Sequence, residues 1–455
     1  MNLKKVRLFE KFFLDKNLHK TYFILGLTIT IVLSLLMPFF NEPDGQYHLA
    51  VSGRISNNII DTSYYGEYNI DSGMRRQSTS YRDGTRFEKY YLNKANFVDG
   101  NHLPREINYS KHNFVFWGHL VPAVGLFLGK FVYPSMGVMI TVARLFSSFV
   151  SITLVALIIR YVKKGKLIYF AIFLSPVVLN SFASLSYDST GYIVFGAFLS
   201  LLINLLVDKS LTKNRSIALI GLILLVIVAC KQNYWLFLLL VIPVLLQVNN
   251  PKLMGYNQKL SHLFQGLKSK KLFWLCLTFL SLAIVYVLTA RHGGVLAVLR
   301  RYVMTFGYNY AGINILSNDI TSWLASPYPS QNFIPTWVSS VWYLMVFLVW
   351  FSEEKFVKSK NMGFLFLASF FVGILGVFFI MLEYRGAPTS YIEGVQGRYF
   401  TVTLLLVQVF ASSIPARLNE AGRKVVPYAL TGLVIVSNAL LLFDTVISLI
   451  MRRNE

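Results

Sequence analysis

Residues 21–40, TYFILGLTITIVLSLLMPFF, run directly into Asn41-Glu42-Pro43-Asp44-Gly45-Gln46-Tyr47-His48. The first part is apolar over the roughly 20 residues that a helix needs to cross a bilayer. The second part is polar at once, and Pro38 and Pro43 break the helix on either side of the boundary. A compact acid–amide–imidazole cluster therefore stands at the mouth of the first span. If a helix restarts here, Asp44 and His48 share one face, a single turn apart. A carboxylate fixed there beside a His and a Gln could act as a base or bind a cation. A solvated turn after a membrane helix would read the same way.

The rest of the chain settles the class. It is 455 residues long, 55% hydrophobic and only 14% charged, with a mean hydropathy of +0.53. Apolar runs of spanning length recur from end to end, which predicts an all-α polytopic membrane protein. A net charge of +22 would suggest nucleic acid in a soluble chain. Here it is better explained by Lys and Arg in cytoplasmic loops and by contact with anionic lipid or phosphate, so no nucleic-acid partner is expected. Cys230 and Cys276 both fall in apolar segments, and nothing suggests a disulfide. The basic lead-in, residues 1–20, precedes a span without a small-residue cleavage site, so the first helix is expected to stay as an anchor.

Beyond the lead-in, residues 21–455 read as a single transmembrane domain. The first span, about 21–40, runs from inside to outside by the positive-inside rule. Residues 41–135 form the first outer loop, whose part 41–113 is too polar for hydrocarbon and must be ordered outside it. Treating the apolar run after it as a span would put Arg160, Lys163, Lys164 and Lys166 outside. Residues 112–132, with His112, Trp117, His119 and Pro122, are therefore read as an interfacial helix. Further spans fall near 136–159, 167–182, 190–207, 216–230, 233–248, 272–290, 337–351, 362–381, 398–414 and 425–450, about eleven in all and between ten and twelve. The basic loops 208–215, 249–271, 353–360 and 415–424 then land inside, while Arg452 and Arg453 end outside, against the rule. A second large outer loop covers 291–336, and another covers 382–397.

Polar residues with chemistry to offer gather on the outer side. The acids are Asp44, Asp188, Asp319, Glu383 and Glu393; the cations are Lys231, Arg291, Arg300, Arg301, Arg385 and Arg398. An acidic centre ringed by cations suits a phosphate-bearing lipid attacked by a nucleophile that needs a base. Each residue also has a plainer reading. Asp188 is well placed to cap a helix starting near Thr190, Lys231 to snorkel to the interface, and Arg398 to anchor there. His48 suits a local hydrogen bond, and His112 and His119 a structural part. Arg144, inside a span, must pair with something, either Asp188 or a lipid phosphate.

Four features, in order, resemble the large bacterial membrane-protein family known as domain of unknown function 2142. They are Pro43-Asp44-Gly45-Gln46-Tyr47-His48 after the first span; Ser175-Pro176 followed by Ala183-Ser184-Leu185-Ser186-Tyr187-Asp188; Cys230-Lys231-Gln232-Asn233-Tyr234; and Gly394-Val395-Gln396-Gly397-Arg398-Tyr399-Phe400. The family in turn resembles C-type glycosyltransferases, polytopic enzymes that use polyprenyl-phosphate-linked sugars on the outer face of the membrane.

The resemblance implies a catalytic or acceptor-orienting acid after the first span, carried over to Asp44, and a second acid at Asp188. The family's usual Asp-Glu is Asp44-Gly45 here, which leaves one carboxylate where two are expected and weakens any divalent-metal role. The expected reaction is inverting transfer of a sugar from a polyprenyl phosphate to a polysaccharide or glycolipid acceptor of the cell envelope, without a cofactor or metal. The leaving phosphate would meet Arg398 first, then Lys231 and Arg385, with Gln396, His48, Tyr187 and Tyr399 completing the substrate site. The expected setting is a multi-pass bacterial cell membrane protein with its N-terminus cytoplasmic. Two other readings stand beside it: a transporter or flippase of lipid-linked sugars, and a non-catalytic subunit of a polysaccharide assembly system. No inverted repeat and no paired broken helices are evident for the transporter.

Overall fold

The computed structural model describes residues 16–62, 87–98, 113–249, 255, 271–307, 322–328, 334–383 and 390–452. Among these the protein is helical, and pairing of extended backbone is confined to the isolated Ile60–Phe97 bridge. The basic lead-in up to residue 15, His112, Asp319, Arg385 and most charges of the first loop lie outside the described residues.

The first helix, α1 (Leu18–Leu36), stops just before Pro38, and α2 (Gly45–Ile55) begins two residues after Pro43. The long hairpin α3 (Phe114–Val132) and α4 (Met136–Tyr161) follows. Two short helices come next, α5 (Lys166–Phe173) and α6 (Pro176–Phe182), then the long α7 (Asp188–Asp208) and α8 (Lys213–Ala229). A 3-10 stretch, Gln232–Leu240, runs on into α9 (Val241–Leu245). The remaining helices are α10 (Lys271–Ala290), α11 (Val295–Gly307), α12 (Thr336–Ser352), α13 (Lys360–Ile380), α14 (Leu404–Ala411) and α15 (Glu420–Arg452).

Seven helices among the described residues are long and apolar enough to cross a membrane: Leu18–Leu36, Phe114–Val132, Met136–Tyr161, Asp188–Asp208, Phe273–Ala290, Lys360–Glu383 and Glu420–Ile447. The chain is an all-α polytopic membrane protein. The segment read from sequence as an interfacial helix is thus a 19-residue helix whose length also suits a crossing. Pro122 lies within it and is buried.

Two spans expected to be continuous are interrupted. Residues 167–182 are broken between Phe173 and Pro176, because proline has no N–H to donate and clashes with the preceding turn. The groups freed there are met by the protein itself: Asn438 Nδ2 donates to the Leu174 carbonyl at 3.3 Å, and Val177 N donates to Leu324 O at 3.3 Å. Residues 398–414 are a 3-10 turn, Gly397–Tyr399, followed by the short α14. The spans read as continuous over 167–182 and 398–414 are therefore corrected to interrupted ones. Residues 167–173 and all of α6 are buried, as expected of a helix apolar on every side that lies within a bundle.

Between membrane helices the lipid tails are as apolar as the side chains, so association depends on close packing of small residues. The hairpin shows this directly. A Cβ on Gly125 would stand 2.6 Å from Ala143 Cα, and one on Gly129 2.7 Å from Met139 Cα. Ser34 and Ser148 hydroxyls meet at 3.1 Å across α1 and α4, which run antiparallel. Above them, Phe39, Phe40, Leu49, Tyr90, Leu126 and Met139 close a second apolar core that fixes the first loop to the α3–α4 hairpin.

Candidate functional site

At the end of the bundle where α1 finishes, the start of α7, the end of α8 and the Gly397–Tyr399 turn converge. Asp188, the first residue of α7, does not cap its helix. Its carboxylate faces two cations instead. Arg398 Nε donates to Oδ2 at 2.9 Å, and Lys231 Nζ lies 2.8 Å from Oδ1. All three side chains are inside the protein, at 6% exposure for Asp188, 4% for Arg398 and 17% for Lys231. The snorkelling and anchoring readings of Lys231 and Arg398 give way to a buried ion cluster with one net positive charge. Burial alone would work against the charge on Lys231. Asp188, aided by Tyr187 and Tyr399, outweighs it and holds the pKa above that of an ordinary lysine.

Two tyrosines wall the cluster. Lys231 Nζ lies 4.6 Å from the Tyr187 ring centre and 4.2 Å from that of Tyr399, and the Arg398 guanidinium is 5.4 Å from Tyr399. The Arg398 backbone is held from two sides: Tyr192 OH donates to its carbonyl at 3.0 Å, and Gly397 N donates to Ser322 Oγ at 2.8 Å. Tyr192 and Ser322 were not singled out in the sequence, since a Tyr inside a span and a Ser in a long loop carry no pattern. Gln396 precedes the turn, and its Oε1 is buried without a hydrogen-bond partner among the described residues.

On the other side of Tyr187 lies a pair of buried histidines. His48 Nδ1 and His119 Nε2 are 2.8 Å apart, and His119 Nδ1 donates to Val115 O at 2.6 Å. Their rings are 4.8 and 5.4 Å from that of Tyr187. His48 therefore bonds across elements rather than locally, and His119 is drawn into the site. The close approach of α3 requires Gly118, where a Cβ would meet Tyr187 Cβ at 2.3 Å. Burial foremost, with His119 next, pushes the His48 pKa well below the ordinary value.

Asp44 opens α2 from a left-handed conformation, φ +58°, one turn before His48, and is half-buried. Phe40 is left-handed too, φ +58°, so the short loop between them is tightly built at a conformational cost of about 1–2 kcal/mol per residue. Its reason is Arg144. The Arg144 guanidinium donates to the carbonyls of Met37 and Pro38 at 2.8 and 3.0 Å and to Glu42 Oε2 at 3.2 Å. Its partner is thus Glu42, not Asp188 or a lipid phosphate. The signal was present in the sequence: a buried arginine needs a carboxylate, and Glu42 stands at the end of the neighbouring span.

Beside the cluster, a cavity of about 200 Å³ opens between α3, α4, α7 and α8, lined mainly by apolar groups with Ser147, Ser186, Ser189 and Thr190 among them. A second furrow of about 300 Å³ continues it along α7 and α8, the two sharing Leu154 and Ile193.

A polytopic helical protein with buried charges gathered where its helix ends meet defines a class rather than a reaction. Within that class the chain belongs to the family of predicted membrane proteins designated DUF2142, which it matches over residues 27–407. The match covers the α1 boundary, the Tyr187-Asp188 turn, Lys231 and Arg398. No curated protein and no solved structure matches the chain.

Proposed function

We propose that the protein is an inverting, C-type glycosyltransferase that takes a sugar from a polyprenyl phosphate and passes it to a polysaccharide or glycolipid acceptor at the outer face of the cell membrane. The observation that carries this reading is the Asp188–Lys231–Arg398 cluster, a net positive charge preorganised beside a mainly apolar furrow. When the anomeric C–O bond breaks, its electron pair leaves on the phosphate. Arg398 and Lys231 are the fixed cations that would balance that charge. Asp188, with both oxygens engaged, holds the cations in place rather than moving a proton. Asp44 orients the acceptor hydroxyl, and the furrow along α7 takes the first part of the lipid chain.

The alternative of a carrier for lipid-linked sugars has one observation in its favour, the break between α5 and α6. Against it, groups freed at the break are met within the protein by Asn438 and Leu324. The test of the proposal is binding of polyprenyl phosphate to purified protein in nanodiscs. Arg398→Gln should weaken binding at least tenfold; unchanged affinity in Arg398→Gln and in Lys231→Met would remove the cluster from phosphate recognition.

A further inference from the structure

The buried histidine pair has a defined proton arrangement. A carbonyl oxygen can only accept, so His119 Nδ1, at 2.6 Å from Val115 O, carries hydrogen. Neutral His119 then presents a lone pair at Nε2, and His48 Nδ1, 2.8 Å away, must be the donor to it. This leaves the lone pair of neutral His48 on Nε2, the ring nitrogen not engaged with His119, in a residue only 1% exposed. A chain of three groups on two helices, Val115 and His119 on α3 and His48 on α2, thus fixes the tautomer of one imidazole next to the ion cluster.

We propose that His48 Nε2 is the proton acceptor of this site, and that His119 is a positioning residue that sets its tautomer. The assignment rests on the glycosyl-transfer reading. In that reaction the acceptor oxygen forms its bond to the anomeric carbon and its proton passes to His48 Nε2. The bond from the anomeric carbon to the phosphate oxygen breaks, and its electron pair leaves on the phosphate. The charges facing His48 suit the exchange. Asp188 favours the imidazolium that forms, whereas His119, Arg398 and Lys231 disfavour it and ease its later loss of the proton, and Tyr47 and Tyr187 pack edge-on. Asp44, which opens α2 one turn earlier, orients the hydroxyl.

The experiment uses the full chain in native membranes and in nanodiscs. Sugar transfer from radiolabelled polyprenyl-phosphate donors is followed against pH in wild type, His48→Gln, His119→Ala and His119→Gln. Solid-state NMR of ¹⁵N-histidine protein reports the tautomers, with the two signals assigned by their loss in the variants. The expected result is Nδ1–H at both His48 and His119 at neutral pH. His48→Gln should lower transfer about 100-fold or more at every pH, the scale of a positioned general base. His119→Ala should lower it about tenfold and move the acidic limb of the profile upward, because it removes a neighbour that depresses the His48 pKa. His119→Gln, which keeps an acceptor oxygen, should restore much of the loss. An Nε2–H tautomer at His48, or transfer in a folded His48→Gln protein equal to wild type, would overturn the proposal while leaving the transferase reading intact. No transfer by wild type from any donor would overturn that reading and this proposal with it.

Discussion

Arg398 Nε donates to Asp188 Oδ2 at 2.9 Å across 210 positions of sequence. Lys231 takes the other oxygen, so two cations depend on one buried carboxylate. Asp188→Asn leaves two buried cations without a counter-charge and should cost about 3–5 kcal/mol of stability. The double variant Asp188→Asn with Lys231→Met should recover part of that loss. Thermal unfolding of the single and double variants in detergent checks both statements.

Arg144 and Glu42 form the second buried pair. Either Arg144→Met or Glu42→Gln should destabilise the fold, the arginine change more, because it also strips the donors from the Met37 and Pro38 carbonyls. The double change should cost less than the sum of the two. A double-mutant cycle on unfolding midpoints measures the coupling, and strict additivity would deny that the pair interacts.

Gly45 leaves no room for a side chain, and its replacement should not improve the protein. A Cβ there would meet Phe40 Cα at 2.8 Å and the Glu42 carboxyl carbon at 3.1 Å. Gly45→Glu should therefore destabilise by about 1–3 kcal/mol, the range of overpacking, and disturb the loop that carries Asp44. Denaturation of Gly45→Ala and Gly45→Glu side by side separates the steric part from the added charge.

His48 predicts a pH dependence of stability. Its pKa is depressed in the folded protein from an unfolded value near 6.5, so below pH 6.5 the unfolded state binds the extra proton. Stability should then fall as pH drops from about 6.5 toward the folded pKa, and stay flat above about 6.5. His48→Gln should lose less between pH 7.5 and 5 than wild type does. Equal losses would place the titration elsewhere.

How far the sequence carries can be judged from particular residues. The all-α membrane class is legible because apolar length alone decides it, and the gathering of Asp188, Lys231 and Arg398 at one end of the bundle follows from where charge interrupts apolar runs. What those residues do to one another is not legible, since pairing over 210 positions is made by packing. The 167–182 break is half-visible: Pro176 marks it, but a continuous apolar run hides it. Arg144 and Glu42 were within reach of a stricter demand that every intramembrane arginine be given a carboxylate. The His48–His119 pair was out of reach, because it depends on Gly118 letting α3 approach Tyr187.

The central claim is that this cluster serves sugar transfer from a polyprenyl phosphate. Its most direct measurement is transfer of radiolabelled sugar to envelope acceptors in membranes holding equal amounts of folded wild type or Arg398→Lys protein. The account predicts transfer by wild type and a loss of at least 100-fold with lysine, which cannot reproduce the planar, two-pronged guanidinium contact. Equal transfer by the two proteins would contradict it.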